Sequence, residues 1–254
     1  MADPSLRARL ATAGADWIVP EWRAPPNVHA LSTTRRLGDR DIDFAPSGRD
    51  IDIARAALRE FVPAEPLWLA QQHGVEVVDA DRPPARPPRA DAAVARAPGS
   101  VCAILSGDCM PVLLAAHDGS AVAAAHAGWR GLSAGILEHT LAAMRVDPAG
   151  VIAWLGPAIG PSVFEVGDEV FHAFCDRNTG DAAAFVATRP GKWLADLGTL
   201  ARRRLNRAGV ASVDASARCT LSEPESFFSY RRGGADAARR MATLIWRTAS
   251  DASE

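Results

Sequence analysis

Four stretches of this chain are apolar without a break: Val101–Leu105, Val112–Ala116, Ala121–Ala125 and Val151–Leu155. A strand with one wet face alternates apolar and polar residues, whereas an unbroken apolar run is covered on both faces. The second and third runs are joined by His117-Asp118-Gly119-Ser120, where Asp-Gly marks a hairpin. Val75–Val78 and Val210–Val213 are further strand candidates. Helical stripes lie between the strands. Leu132 to Met144 places Leu132, Ile136, Leu137, Leu141 and Met144 on one face, and Asp168 to Cys175 does so with Val170, Phe171 and Phe174. Asp196 to Ala208 carries Leu197, Leu200 and Leu205 and stops at Gly209. Strands interleaved with helices predict an α/β or α+β protein.

The 254 residues suit a single domain that needs no disulfide or structural metal, since a chain this long buries about 70–75% of its unfolded surface. A net charge of −2 argues against a general nucleic-acid binder. No apolar run reaches the ~18 residues of a spanning helix, and Met-Ala-Asp-Pro-Ser-Leu-Arg lacks the order of a signal peptide, so the expected location is cytoplasmic. Cys102, Cys109, Cys175 and Cys219 form no C-x-x-C pair and are expected as free thiols. Arg82-Pro-Pro-Ala-Arg-Pro-Pro-Arg89 is expected as a surface loop within the domain, and Thr248–Glu254 as a polar tail.

Three polar segments sit beside the apolar runs: Gln71-Gln72-His73-Gly74, Gly107-Asp108-Cys109-Met110-Pro111 and Ala125-His126-Ala127-Gly128-Trp129-Arg130-Gly131. Polar residues at the ends of buried strands are where α/β proteins place function. The spacings of His73, Cys109 and His126 match no local zinc motif. Their chemistry does: two imidazoles and a thiolate suit zinc and leave a fourth position open. The alternative is a buried core thiol with two hydrogen-bonded histidines. No H-E-x-x-H, P-C-x-x-C, G-x-S-x-G or phosphate-loop motif is present.

Ala123-Ala-Ala-His-Ala-Gly-Trp-Arg-Gly131 resembles the signature of the YfiH-type laccase-domain family, also described as multicopper polyphenol oxidase-like. Leu155-Gly-Pro-Ala-Ile-Gly-Pro161, Phe164-Glu-Val-Gly167, Cys219-Thr220 and Phe227-Phe-Ser-Tyr-Arg-Arg232 continue the likeness in order, from about Val28 to Trp246. The resemblance implies one domain over residues 28–247, preceded by an N-terminal segment (1–27) and followed by a flexible tail (248–254). It implies mixed β-sheets packed together with helices outside, and a metal site on His73, Cys109 and His126. It further implies purine nucleoside chemistry: phosphorolysis of adenosine, inosine and methylthioadenosine, and deamination of adenosine. Copper-dependent polyphenol oxidation and peptidoglycan precursor editing are also described for the family. Two departures stand out. Ser106-Gly107-Asp108-Cys109 replaces T-A-D-C, and Asp41-Ile-Asp-Phe44 replaces S-L-N-L, with a shortened loop and Asp43 where an Asn is expected.

Six histidines are too few for a full multicopper set, so zinc is the expected metal, with copper as an alternative. Deamination draws on zinc-activated water, with Asp108 as the expected proton carrier or else a turn cap. Phosphorolysis needs an anion site, for which Arg35, Arg130 and Arg231 are the candidates, ahead of Arg232. The expected ligands are therefore a purine nucleoside and phosphate, with no nucleic acid or membrane partner. Two other classes compete: a hydrolase with Cys109 as nucleophile and His126 as base, and a metal-binding module without turnover.

Overall fold

The structure is a computed structural model that describes residues 4–48, 50–210 and 212–249. The chain begins with helix α1 (Pro4–Thr12), strands β1 (Val28–Ser32), β2 (Arg36–Leu37) and β3 (Arg40–Asp41), and helix α2 (Ile51–Arg59). Five strands follow: β4 (Val77–Asp79), β5 (Ala92–Ala95), β6 (Val101–Ser106), β7 (Met110–Ala116) and β8 (Val122–Ala127). Next come α3 (Trp129–Ala134), α4 (Ile136–Met144), β9 (Val151–Leu155), β10 (Glu165–Gly167) and α5 (Asp168–Cys175). The chain closes with β11 (Phe185–Arg189), β12 (Lys192–Ala195), α6 (Leu197–Arg207), β13 (Ser212–Ala215) and β14 (Met241–Arg247).

A six-stranded sheet in the order β13-β9-β7-β8-β5-β4 lies at the centre, parallel at its two outer pairs and antiparallel within. One face, through Leu113, Ala115, Val122, Ala124 and Trp154, packs on Ala30, Cys102, Ile104 and Ile245 of a second sheet, β1-β14-β6. The opposite face, through Val112, Leu114, Ala123, Ala125 and Leu155, packs on Leu137 and Leu141 of α4, Phe174 of α5 and Leu200 of α6. The outer face of the second sheet, with Leu31, Ala103 and Leu244, is covered by Leu6 and Leu10 of α1 and by Ala54 and Leu58 of α2. The order is thus helix, sheet, sheet, helix. Both sheets are internal, which is why alternate residues of β6 and β7 are equally apolar: each faces a different core.

The predicted strands at Val101, Val112 and Val151 and the Asp118-Gly119 hairpin are present. Val75–Val78 is displaced to Val77–Asp79 and Val210–Val213 to Ser212–Ala215. The single helix expected from Leu132 to Met144 is two. Gly135 sits at φ +110 between α3 and α4, with its amide N–H donating to Gly131 O at 3.0 Å and to Leu132 O at 3.3 Å. A left-handed residue caps one helix and redirects the chain into the next. The N-terminal segment set apart at residues 1–27 shares the core of the rest through Leu6, Leu10, Trp17 and Val19. The proline-rich stretch is an exposed loop between β4 and β5. Of the predicted tail, Thr248 is tied back by its N–H to Asn27 O at 2.8 Å, and residues 250–254 lie outside the described residues. No helix among the described residues is long and apolar enough to cross a membrane.

Candidate metal centre

Strand register assembles the site. In the β7–β8 hairpin Met110 pairs with Ala127 and Pro111 with His126, so Cys109, just before β7, lies across from Gly128, just after β8. On the other side of β8, Ala92 pairs with Ala125, so Asp91, just before β5, lies beside His126. Its carbonyl accepts the His126 backbone N–H at 2.7 Å. Three strands therefore deliver Asp91, His126 and Cys109 to one end of the central sheet.

His73 arrives by a different device. The backbone N–H groups of Gln72, His73 and Gly74 all donate to the Asp91 carboxylate, at 3.0, 2.9 and 2.7 Å. Wrapping successive amides round one anion puts His73 at φ +61, a left-handed conformation uncommon for a side-chain-bearing residue. The same carboxylate lies 2.9 Å from His126 Nδ1. Asp91 is 1% exposed. Burial works to raise its pKa, but the bonds from His126, Gly74 and Gln72 prevail and hold it at about 2. An ionised Asp91 accepts the Nδ1–H of His126 and turns Nε2 outward as the free donor, the orientation that carboxylates give to metal-binding histidines.

The three donor atoms offered by His73, Cys109 and His126 lie within 4.8 Å of one another. Cys109 Sγ is 3.7 Å from His73 Nε2, and the two imidazole rings meet edge-on with centroids 4.8 Å apart. Burial pushes the Cys109 thiol up, yet the adjacent His126 and His73 bring it down to about 6. Burial pushes His126 down, yet Cys109 and Asp91 raise it to about 9. The thiol is thus primed to be a thiolate, the form that binds metal. Two nitrogens and one sulfur at this spacing fit a tetrahedral ion with one position left for substrate or water. Among the described residues this is the only such group, and His117, His139 and His172 lie elsewhere.

Gly128 closes over this group. A Cβ at Gly128 would stand 2.9 Å from both Cys109 Sγ and His73 Cδ2. Gly128→Ala therefore forces the thiol and imidazole apart without straining the backbone, since φ is −64. Its metal affinity, measured by competition with a chromogenic chelator, is expected to fall about tenfold or more. Wild-type affinity in this variant would show that the donors are not held at this spacing.

Asp108, expected as a proton carrier or else a turn cap, lines the cavity and has its carboxylate taken up in hydrogen bonds. It is buried at φ +91, and its carboxylate accepts Thr220 Oγ1 at 2.6 Å, Ser229 Oγ at 3.0 Å and the Arg231 backbone N–H at 2.6 Å. These bonds draw the loop carrying Arg231 against the loop carrying Cys109.

The donors open into a cavity of about 750 Å³, walled in part by Trp129, Phe164 and Tyr230. Of the expected phosphate ligands, Arg130 and Arg231 line it, Arg130 over the Trp129 ring and Arg231 over that of Phe164. Arg35 does not line it: its guanidinium is spent on Asp41 at 2.7 Å and Asp236 at 3.6 Å and lies over Phe228. Arg232 is likewise committed, to Asp236 and to the carbonyls of Thr220 and Leu221. Sequence reasoning missed Asp91, Lys192 and Arg240, the last two also lining the cavity. The remaining cysteines are free thiols, Cys102 and Cys175 buried and Cys219 half-buried, with Cys219 Sγ accepting the Gly160 N–H.

The family model described as multi-copper polyphenol oxidoreductase laccase matches residues 48–248. A protein of Xylella fastidiosa named purine nucleoside phosphorylase is 45% identical, with the match covering 91% of this chain and 96% of that one. The purine nucleoside phosphorylase YfiH of Escherichia coli is 43% identical, over 90% and 98% of the two chains. The crystal structure of Neisseria meningitidis protein NMB0706 superposes with a TM-score of 0.88 at 41% identity, over 92% of this chain and all of that one. By sequence and by fold, the chain belongs to the multi-copper polyphenol oxidoreductase laccase family, that of the YfiH proteins.

Proposed function

We propose that this chain is a zinc-dependent purine nucleoside phosphorylase. The observation that carries the proposal is the His73–Cys109–His126 donor set opening into a cavity lined by Lys192 and by Arg130 and Arg231, the two arginines having no carboxylate within ion-pair distance among the described residues. The names of relatives more than 40% identical support the same reading. In the reaction a phosphate oxygen bonds to the ribose C1′ as the C1′–N9 bond breaks. The base leaves with the electron pair and takes up a proton, giving a free purine and ribose 1-phosphate. Arg130 and Arg231 hold the phosphate, for which a guanidinium fork is well shaped. Arg231 is aimed by its Nη1–H bond to Glu165 O at 2.9 Å and by the Asp108 carboxylate on its backbone N–H. Asp108 is in this scheme a positioning residue.

When bound, zinc would supply Lewis acidity at the cavity wall. His73, Cys109 and His126 would hold it, and Asp91 keeps both imidazoles in place. Deamination of adenosine is a separate reaction at the base, available to the same cavity: a water oxygen bonds to purine C6 as the C6–N bond breaks. The amino group leaves as ammonia with one proton of that water, the other stays on the base, and inosine keeps its C1′–N9 bond. Copper competes for these three donors, and metal analysis of the purified protein separates the two. A polyphenol oxidase of the multicopper kind needs further histidines, which the described residues do not gather here.

The test is to incubate metal-assayed protein with adenosine, with and without phosphate, and to read products by mass spectrometry. Adenine with ribose 1-phosphate, dependent on phosphate, is the expected result, and inosine would add the deaminase activity. No product above a Cys109→Ala blank would overturn the proposal.

A further inference from the structure

Arg239 and Arg240 are neighbours with opposite fates. Arg239 is neutralised by Asp41 at 2.8 Å and Asp43 at 3.7 Å, and lies over the Phe228 ring. Arg240 has no carboxylate within ion-pair distance among the described residues, and its half-buried side chain lines the cavity. Its backbone is held on both sides: the N–H donates to Asp43 Oδ1 at 2.9 Å, and the carbonyl accepts the Phe44 N–H at 3.0 Å. Its Nη1 donates to the carbonyls of Ala237 and Arg239 at 2.9 and 2.8 Å, which orients the guanidinium plane. The side chain crosses Gly107, where a Cβ would stand 3.5 Å from Arg240 Nη1, 3.6 Å from its Cδ and 3.1 Å from the Arg239 carbonyl. Gly107, two residues before Cys109, and Asp43, each within a segment where the chain departs from the family's motifs, thus both bear on this one arginine.

We propose that Arg240 is a specificity-determining residue that takes a phosphoryl oxyanion in the cavity, and that Asp43 is its positioning residue. A half-buried guanidinium without a counter-ion is a standing demand for an anion, and its remaining N–H groups suit two oxygens of one group. The oxyanion is either orthophosphate or a phosphate carried on the nucleoside. The choice of probes rests on the phosphorylase reading; the binding test itself needs no turnover.

Metal-assayed wild-type, Arg240→Gln, Asp43→Ala and doubly substituted proteins would be titrated calorimetrically with orthophosphate, 5′-AMP and adenosine. Arg240→Gln is expected to weaken an anionic probe by about tenfold or more, with adenosine changed less than about twofold. Loss confined to orthophosphate assigns the free ion, loss confined to AMP assigns the carried phosphate, and loss of both assigns a shared seat. Asp43→Ala is expected to give a smaller loss that does not add to that of Arg240→Gln, which a merely structural role would not produce. Unchanged anion binding in folded Arg240→Gln protein, equal loss of adenosine, or no anion binding by the wild type would each overturn the proposal. Failure of the phosphorylase reading registers separately, as intact anion binding with no adenine formed.

Discussion

Asp91→Ala is expected to cost the protein the proposed metal centre and several kcal/mol of stability together. Four donors converge on this one carboxylate: the backbone N–H groups of Gln72, His73 and Gly74, and the ring of His126. With the side chain 1% exposed, water has no easy route to replace it. Each buried donor left without an acceptor costs about 1–3 kcal/mol, so a combined loss of about 3–5 kcal/mol follows even if one or two find water. The His73 loop loses the anion that holds it at positive φ, and His126 loses the partner that fixes its free nitrogen. Metal affinity is then expected to fall about 10–100-fold or further. Asp91→Asn is the sharper instrument. It keeps the shape and one oxygen, but sets an NH2 group against an N–H donor, so its metal affinity should fall while most of the fold survives. Thermal melts with and without metal, alongside chelator competition, measure both quantities. An Asp91→Asn protein with wild-type affinity would mean that Asp91 supports the fold and not the metal.

Half of this centre was legible because of where the hairpin lies. The apolar runs of β7 and β8 and the Asp118-Gly119 turn set a register, and that register alone puts Cys109 and His126 at one strand end. His73 could be grouped with them by its chemistry and by the family's motifs, but no local spacing leads to it, because a loop folded round Asp91 delivers it. Asp91 itself was invisible: a single acid in Ala90-Asp91-Ala92-Ala93 resembles any strand terminus until β5 is seen to pair with β8. The arginines show the same limit. In a chain whose only lysine is Lys192, arginine carries nearly every positive charge, so type says little about role. Arg35 and Arg240 are separated by their partners: Asp41 and Asp236 neutralise the first, whereas Asp43 takes only the backbone of the second. The split of the predicted Leu132–Met144 helix has a similar cause, since hydrophobic periodicity runs on through Gly135 while the backbone does not.

Removal of the metal is expected to abolish turnover, and Cys109→Ser to do the same by more than about 100-fold. The two results together decide what the thiol is for. A cysteine nucleophile with His126 as its base needs no metal, and stripping the ion would leave it as active or more so. In the metal-free protein Cys109 is well suited to that part, with its thiol drawn down to about 6 by two imidazoles despite its burial. Geometry favours the ligand role. A general base needs one imidazole, whereas here two imidazoles converge on the sulfur, and both are braced by the same buried carboxylate. Serine keeps the size of the side chain but offers a neutral hydroxyl, a poor donor to zinc, so Cys109→Ser should purify with little metal. Adding zinc back should restore the chelated wild type and leave the variant inert. Iodoacetamide supplies an independent readout by peptide mapping: Cys109 should alkylate readily in the metal-free protein and be protected once zinc is restored. Buried Cys102, whose thiol burial pushes up, should stay unmodified in both. Full activity after chelation, with Cys109 alkylation still lethal, would instead make the sulfur a nucleophile and the metal incidental.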